Sequence, residues 1–511
     1  MKKLSVVHNT ALSYLGQAYA LLVGIVVMPF YLGHLGAEVY GLIGFYAVLQ
    51  AWLQLLDVGI SPSLVRQIAH HQGTLGDGQP LPRSGGWLMR SFELMFLPLA
   101  LLAGVGVYLA SPWISINWLN AQTLNIATLV HCLTLMGIMV GLRLFATLYK
   151  SGLQGLEMHA WLNNANVLIA TLRYFGGLAL VAWVSQDPVV FFEFQLGVAL
   201  IETLIFAVKA YVYLPAPHPF SGFNWSLVKP IIPFAASISL TSILWIVLTQ
   251  LDKVLLSEVL LLKEYGYFSL VALLSTGILM LINPLVQTLL PRMTVLMAER
   301  READMHQLYL AASRFVCTFL FPLAATIAFH SGPLLFAWSG DQEAADWGAP
   351  ILFWYSLGSA ILAVSAFQYH LQYAYGQIRL HVWYSLVSAV ITVPTMIIAV
   401  KWYGAIGAAL AWFVLRAVSF ALWPQVVHHK VAPGIHGTWL HDIVRIGLVT
   451  FIALLLTEPL FRVIAGDDHS RIRILLGLAV TGALTLAAVA LSYKPLALKI
   501  LLMLSKPSIE R

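Results

Sequence analysis

Three arginines, Arg143, Arg173 and Arg416, and one glutamate, Glu202, stand inside long apolar runs. A charge at the centre of a membrane-spanning helix costs about 2.5–3.5 kcal/mol on insertion scales, so such groups pair with one another or face water. A guanidinium presents a planar fork of donors that fits phosphate or carboxylate oxygens. The chemistry these residue types predict is recognition of an anion within the bilayer. At a rise of about 1.5 Å per residue, Arg173 lies ~21 Å from the inner end of its run, beyond the reach of a snorkelling side chain. Glu202, on the next run, lies ~16 Å from the same side, so the two are also placed to pair. Arg143 and Arg416 lie ~10–12 Å from the inner face, where snorkelling competes with anion contact.

Neutral polar residues recur at helical spacing in the same runs: Asn9, Ser13 and Gln17; Gln50 and Gln54 leading to Asp57; Asn163 and Asn166 before Arg173; Ser237 and Thr241 before Asp252; Asn283 and Gln287. Any one of these is as well explained by an interhelical hydrogen bond of about 0.6 kcal/mol. Together the stripes predict a hydrated cleft, with Arg143, Arg173, Arg416, Asn163, Asn166, Gln17, Gln50 and Gln54 as substrate contacts. The carboxylates Glu202, Asp57, Glu93 and Asp252 are the coupling or gating candidates. Glu93 sits one turn from Arg90 and has that arginine as a partner. His131 and His370 read as packing residues.

The elements that carry these residues follow from composition. The 511-residue chain is 60% hydrophobic and only 10% charged, with a mean hydropathy of +0.83. Soluble domains hold roughly 25% charged residues, so the medium around this chain is lipid. About fourteen apolar runs reach the ~20 residues that a spanning helix needs. They begin with 9–33 and 39–60 and end with 440–460 and 471–492, and the predicted fold is all-α and polytopic. The first run is too long for a signal peptide and reads as a retained span. Loops are short: His70–Gly86, rich in Gly and Pro, reads as flexible, Glu299–Gln307 as a surface helix, and Ser331–Asp346 as a short acidic loop. None holds a soluble catalytic or motor domain.

The net charge of +6 matters by placement and does not point to nucleic acid. Lys2, Lys3, Arg66, Arg83, Lys150, Arg292, Lys430 and Arg511 fall on one side, while 34–38, 111–122, 185–187 and 331–346 hold no Lys or Arg. By the positive-inside rule both termini are cytoplasmic. Lys263, Lys401 and the group Arg462, Arg471 and Arg473 run against it.

Motifs for other chemistries are missing. The sequence has no GxxxxGK[ST], no HExxH and no Cys/His pair at metal spacing. No enzyme activity, cofactor or metal is expected; a coupling ion, if one is used, is H+ or Na+. The two cysteines, Cys132 and Cys317, lie in apolar runs and read as small buried residues.

An internal repeat organises the chain. Tyr40-Gly41 and Tyr265-Gly266 open two spans 225 residues apart (265 − 40), each just after a glutamate, Glu38 and Glu264. Arg66 and Arg292 close the two hairpins at nearly the same offset. An even number of spans separates the copies, which predicts a parallel repeat about an axis along the membrane normal. The expected organisation is an N-lobe at 1–220, a C-lobe at 221–430, and two further spans with a tail at 431–511.

The segment Leu35-Gly36-Ala37-Glu38-Val39-Tyr40-Gly41-Leu42, with Leu56-Asp57-Val58-Gly59-Ile60 and Arg66, resembles the opening of O-antigen and polysaccharide flippases. These belong to the multidrug/oligosaccharidyl-lipid/polysaccharide exporter superfamily. Asp252 and Glu264-Tyr265-Gly266-Tyr267 look like the matching second-half signature. The resemblance covers about residues 5–430. It implies two six-helix lobes around a cavity that opens alternately to each side of the cytoplasmic (inner) membrane. It implies an undecaprenyl-diphosphate-linked oligosaccharide as substrate, the repeat unit of O-antigen, lipopolysaccharide or exopolysaccharide. It also implies a monomer working beside the polymerase and glycosyltransferases of that pathway. Lipid II flippases of the superfamily share the longer span count, but their first helix carries an Arg-Asp pair that is missing here. The alternatives are a cation-coupled multidrug exporter, which three intramembrane arginines disfavour, and a membrane polymerase or ligase, which the short outer loop disfavours.

Overall fold

In a computed structural model, the described residues are 6–57, 59–75, 83–214, 223–229, 232–466 and 470–492. They form eighteen α-helices: α1 (Val6–Leu35), α2 (Ala37–Leu53), α3 (Ile60–Leu75), α4 (Arg83–Trp113), α5 (Ile126–Gly155), α6 (His159–Thr171), α7 (Gly177–Trp183), α8 (Pro188–Tyr213), α9 (Trp225–Val228), α10 (Ile232–Val259), α11 (Leu262–Met280), α12 (Asn283–Ala298), α13 (Glu302–Phe329), α14 (Ser331–Ser339), α15 (Gln342–Ala374), α16 (Arg379–Val431), α17 (His436–Ala465) and α18 (Arg471–Ser492). Eleven helical stretches of the described residues are long and apolar enough to span a bilayer. The chain is a multi-pass membrane protein, and about fourteen spans is compatible with it. Within α16, Gly404 adopts φ 55 and ψ −137, a conformation that glycine reaches without steric cost. The Tyr384 hydroxyl bonds Ser419 Oγ at 2.6 Å and its ring stacks on Trp423. These pairs close a helical hairpin, so α16 holds the two spans expected at 378–399 and 402–424.

The chain divides into two compact units, Met1–Gly266 and Tyr267–Arg511. In the first, α5 is the central helix, packed on α4 and α8. Small residues bring α4 and α5 close: a Cβ on Gly137 would sit 3.1 Å from the Gly104 carbonyl oxygen. Asn125 and Asp187 start α5 and α8 by accepting the amides of Ala127 and Val189 at 2.8 Å. The Glu38 carboxylate accepts the amides of Gln122, Thr123 and Leu124 and the Thr123 hydroxyl, at 2.6–3.1 Å. The repeat has a physical trace here. Gly41 abuts the Leu262 carbonyl and Gly266 abuts the Ala37 carbonyl; a Cβ would lie 2.3 and 2.2 Å from those oxygens. Ala37 and Leu262 are themselves 225 residues apart (262 − 37), so the two contacts are reciprocal.

In the second unit α13 packs on α15, α17 and α18. Its core joins Tyr309, Phe367, Trp439 and the aliphatic faces of α13 and α15. The last two spans are held by polar contacts as well as apolar ones. Arg314 on α13 donates to Asp442 on α17 at 2.6–2.8 Å. His330 meets Glu458 at 3.0 Å, and Arg471 donates to the carbonyls of Ala337 and Trp338 at 3.0 Å. Glu458 thereby holds α17 to the end of α13, Arg462 pairs with Glu458 at 2.8 Å, and Arg445 donates to the Ser492 carbonyl at 3.2 Å.

Three loop expectations are corrected. Segment 331–346 is mostly helix α14 and the start of α15, because apolar Pro333–Trp338 folds onto α15. Glu299–Gln307 is the turn into α13 and its first residues, not a separate surface helix. Helix α3 continues to Leu75, into the segment read as flexible; residues 76–82 lie outside the described set.

Candidate functional site

The first unit contains a cavity of about 230 Å³ whose polar wall is Gln50 from α2, Arg143, Thr147 and Lys150 from α5, and Glu202 from α8. On α5, Arg143, Thr147 and Lys150 are four and three residues apart, so one face of the helix presents all three. Leu144, Leu148 and Leu153 of the same helix lie in the apolar core with Phe206 of α8. Thr203 Oγ reaches the Leu142 carbonyl at 3.1 Å and ties α8 to α5 at this level.

Glu202 is the hub of the charges. Its side chain is only 7% exposed, and it accepts Lys150 Nζ at 2.6 Å. Arg173 Nη2 bonds its second carboxylate oxygen. Lys150 Nζ also lies 4.6 Å from the centre of the Phe206 ring. Arg173 belongs to a π-helical turn, Leu172–Gly176, between α6 and α7. Such turns displace the backbone ladder by one residue and occur at functional sites. The displaced carbonyls have partners: the Tyr31 hydroxyl points to the Arg173 and Tyr174 carbonyls at 3.2 and 2.8 Å, and Gln195 donates to that of Arg173 at 3.2 Å.

Arg143 is different. Among the described residues it has no carboxylate partner, and its Nε is buried without a hydrogen-bond partner. Its guanidinium carbon lies 5.7 Å from the Tyr46 ring centre. The Tyr46 hydroxyl and the Gln50 amide nitrogen, one helical turn apart on α2, are buried as well. Three cations and one carboxylate leave a surplus of two positive charges around a polar cavity.

The other expected residues are distributed. Arg416 belongs to the second unit, where it is buried and stacked 4.7 Å over Trp412. Asn163 and Asn166 are half-buried on α6, with Asn163 against Gly16 of α1. The side chains of Asn9, Ser13, Gln17, Gln54, Ser237, Thr241, Asn283 and Gln287 lie outside the described set. Glu93 is occupied by Arg90 at 2.8 Å and by the Tyr149 hydroxyl at 2.7 Å, which pins α4 to α5. Asp252 is 2% exposed beside Lys253, 3.4 Å away. His370 is buried and packs against Phe367 and Tyr369. Among the described residues no cluster of His, Cys, Asp and Glu is arranged to hold a metal.

Asp57 is occupied locally: one carboxylate oxygen accepts the Ser61 amide at 3.0 Å and its hydroxyl at 2.8 Å, capping the start of α3. Asp57→Ala is therefore expected to cost about 1 kcal/mol. Asp57→Asn keeps the cap and is expected to leave transport near wild type, measured by export from cells with matched protein levels. Loss of export in the Asn variant would instead give Asp57 a proton-carrying role.

Lys150 is the residue that sequence reasoning missed. The charge count assigns it to a loop at the end of a span, whereas α5 continues to Gly155 and turns Lys150 onto Glu202. The available signal was its position two helical turns after Arg143.

The same fold is found in solved structures of a lipid II flippase and of multidrug transporters. The chain superposes on the lipid II flippase MurJ in an inward closed conformation with a TM-score of 0.68 at 14% identity, over 96% of this chain and 99% of that one. An inward-facing multidrug resistance MATE family transporter of the MOP superfamily gives a TM-score of 0.63 at 14% identity, over 82% of this chain and 96% of that one. The MATE multidrug transporter DinF-BH gives 0.53 at 14%, over 82% and 94%. No curated protein matches the sequence. Residues 6–297 match the family model described as polysaccharide biosynthesis protein, and the chain belongs to that family.

Proposed function

We propose that the protein is a flippase that carries an undecaprenyl-diphosphate-linked oligosaccharide across the cytoplasmic membrane by alternating access. The observation that supports this most is Arg143: an arginine inside a spanning helix, without a carboxylate partner among the described residues, on the wall of a cavity with two surplus positive charges. A diphosphate diester carries two negative charges, and guanidinium and ammonium donors replace the water its oxygens lose. Gln50, Thr147 and the Tyr46 hydroxyl offer neutral hydrogen bonds of the kind sugar hydroxyls exchange for water. The polyprenyl tail stays in lipid, since burying it in protein would gain little over hydrocarbon. Membership of the polysaccharide biosynthesis family supports the sugar-linked substrate. The distribution of basic residues among the loops supports cytoplasmic termini.

Expression in a strain lacking its own O-antigen or exopolysaccharide flippase is expected to restore surface polysaccharide, read by gel or antibody. Drug resistance without restored polysaccharide in strains with a range of repeat units would favour the multidrug exporter reading instead.

A further inference from the structure

We infer that Glu202 is a charge filter that fits the cavity to a sugar-bearing diphosphate and against the bare carrier lipid; this rests on the flippase reading. Glu202 is the one carboxylate on the described cavity wall. It forms its ion pairs with Lys150 and Arg173, and Arg143 forms none among the described residues. The charged and titratable groups that interact with it are Arg143 and Lys150 from α5, Arg173 from the π-turn and Tyr46 from α2. Attraction of an anion to the site grows in proportion to the anion's charge, whereas the cost of taking it out of water grows with the square. The balance favours a ligand whose charge cancels that of the site. With Glu202 ionised the match is two negative charges, those of a prenyl diphosphate esterified to a sugar. The bare prenyl diphosphate ends in a phosphate whose second ionisation falls at about pH 6, so it carries about three above that. Without the Glu202 charge the site would match three. The carboxylate thus lets the protein refuse a carrier that has no sugar to deliver.

The test is binding to the purified full-length protein in detergent, with farnesyl diphosphate and farnesyl-diphospho-N-acetylglucosamine as probes. At about pH 8 the wild type is expected to bind the sugar diester roughly tenfold more tightly. The preference should vanish at about pH 5.5, where the bare diphosphate has gained its proton. Glu202→Gln should bind the bare diphosphate at least as well as the diester at about pH 8. Equal binding of both probes by the wild type at both pH values, or an unchanged preference in Glu202→Gln, overturns the filter and leaves the flippase reading standing. Binding of neither probe overturns both. If Glu202→Gln does not fold, the wild-type series still overturns the filter when the preference is missing at about pH 8 or persists at about pH 5.5, because there the charge change is on the ligand.

Discussion

Arg143→Ala is expected to reduce export of lipid-linked oligosaccharide to background while the protein remains folded. A hydrogen-bonded charge contributes about 1.5–3 kcal/mol, a factor of roughly 10–100 in occupancy of the diphosphate. In the described structure Arg143 has no salt bridge to lose, and its Nε is buried without a partner. Truncation therefore removes a desolvation cost and should leave the melting temperature in detergent unchanged or raised. That separates it from Arg173→Ala, which strips a partner from Glu202 and should lower both export and stability. Arg143→Lys keeps the charge without the planar fork, and partial export is expected. The readouts are surface polysaccharide, protein level in the membrane and thermal melting. Wild-type export by Arg143→Ala at matched protein level would remove this residue from the transport path.

The second large effect is structural. Gly266→Val is expected to lower stability by about 1–3 kcal/mol, as overpacking of a close contact does. A Cβ at this position meets the Ala37 carbonyl oxygen at 2.2 Å and the Gly41 amide nitrogen at 3.2 Å, both backbone atoms that no rotamer change can move aside. The first turn of α11 must retreat from α2. Gly41→Val meets the Leu262 carbonyl in the same way, and the two variants should behave alike. Because each change already breaks the shared seam, the double variant should cost less than the sum of the singles. Melting temperature and yield of monodisperse protein check this; a Gly266→Val protein as stable as wild type would show that the seam yields without cost.

The sequence alone determined the medium, the helical class and the family resemblance, because each is carried by composition, periodicity or short local words. A chain with 10% charged residues has lipid for a solvent, and in lipid helices of ~20 residues satisfy their own backbone groups. The Tyr-Gly pairs were readable as a repeat, and their glycines prove to be the points where Ala37–Gly41 and Leu262–Gly266 touch. What each charge does was decided only by tertiary structure. Arg143 and Arg173 look alike in sequence, two arginines in apolar runs, yet one faces a cavity and the other bonds Glu202. Lys150 looks like a loop lysine until one more turn of α5 is wound beneath it. Asp57 and Glu93 look like buried carboxylates free to carry protons until Ser61, Arg90 and Tyr149 take up their oxygens. The physical reason is range. Burial and periodicity are properties of a single helix, whereas the partner of a charge is chosen by another helix tens of residues away.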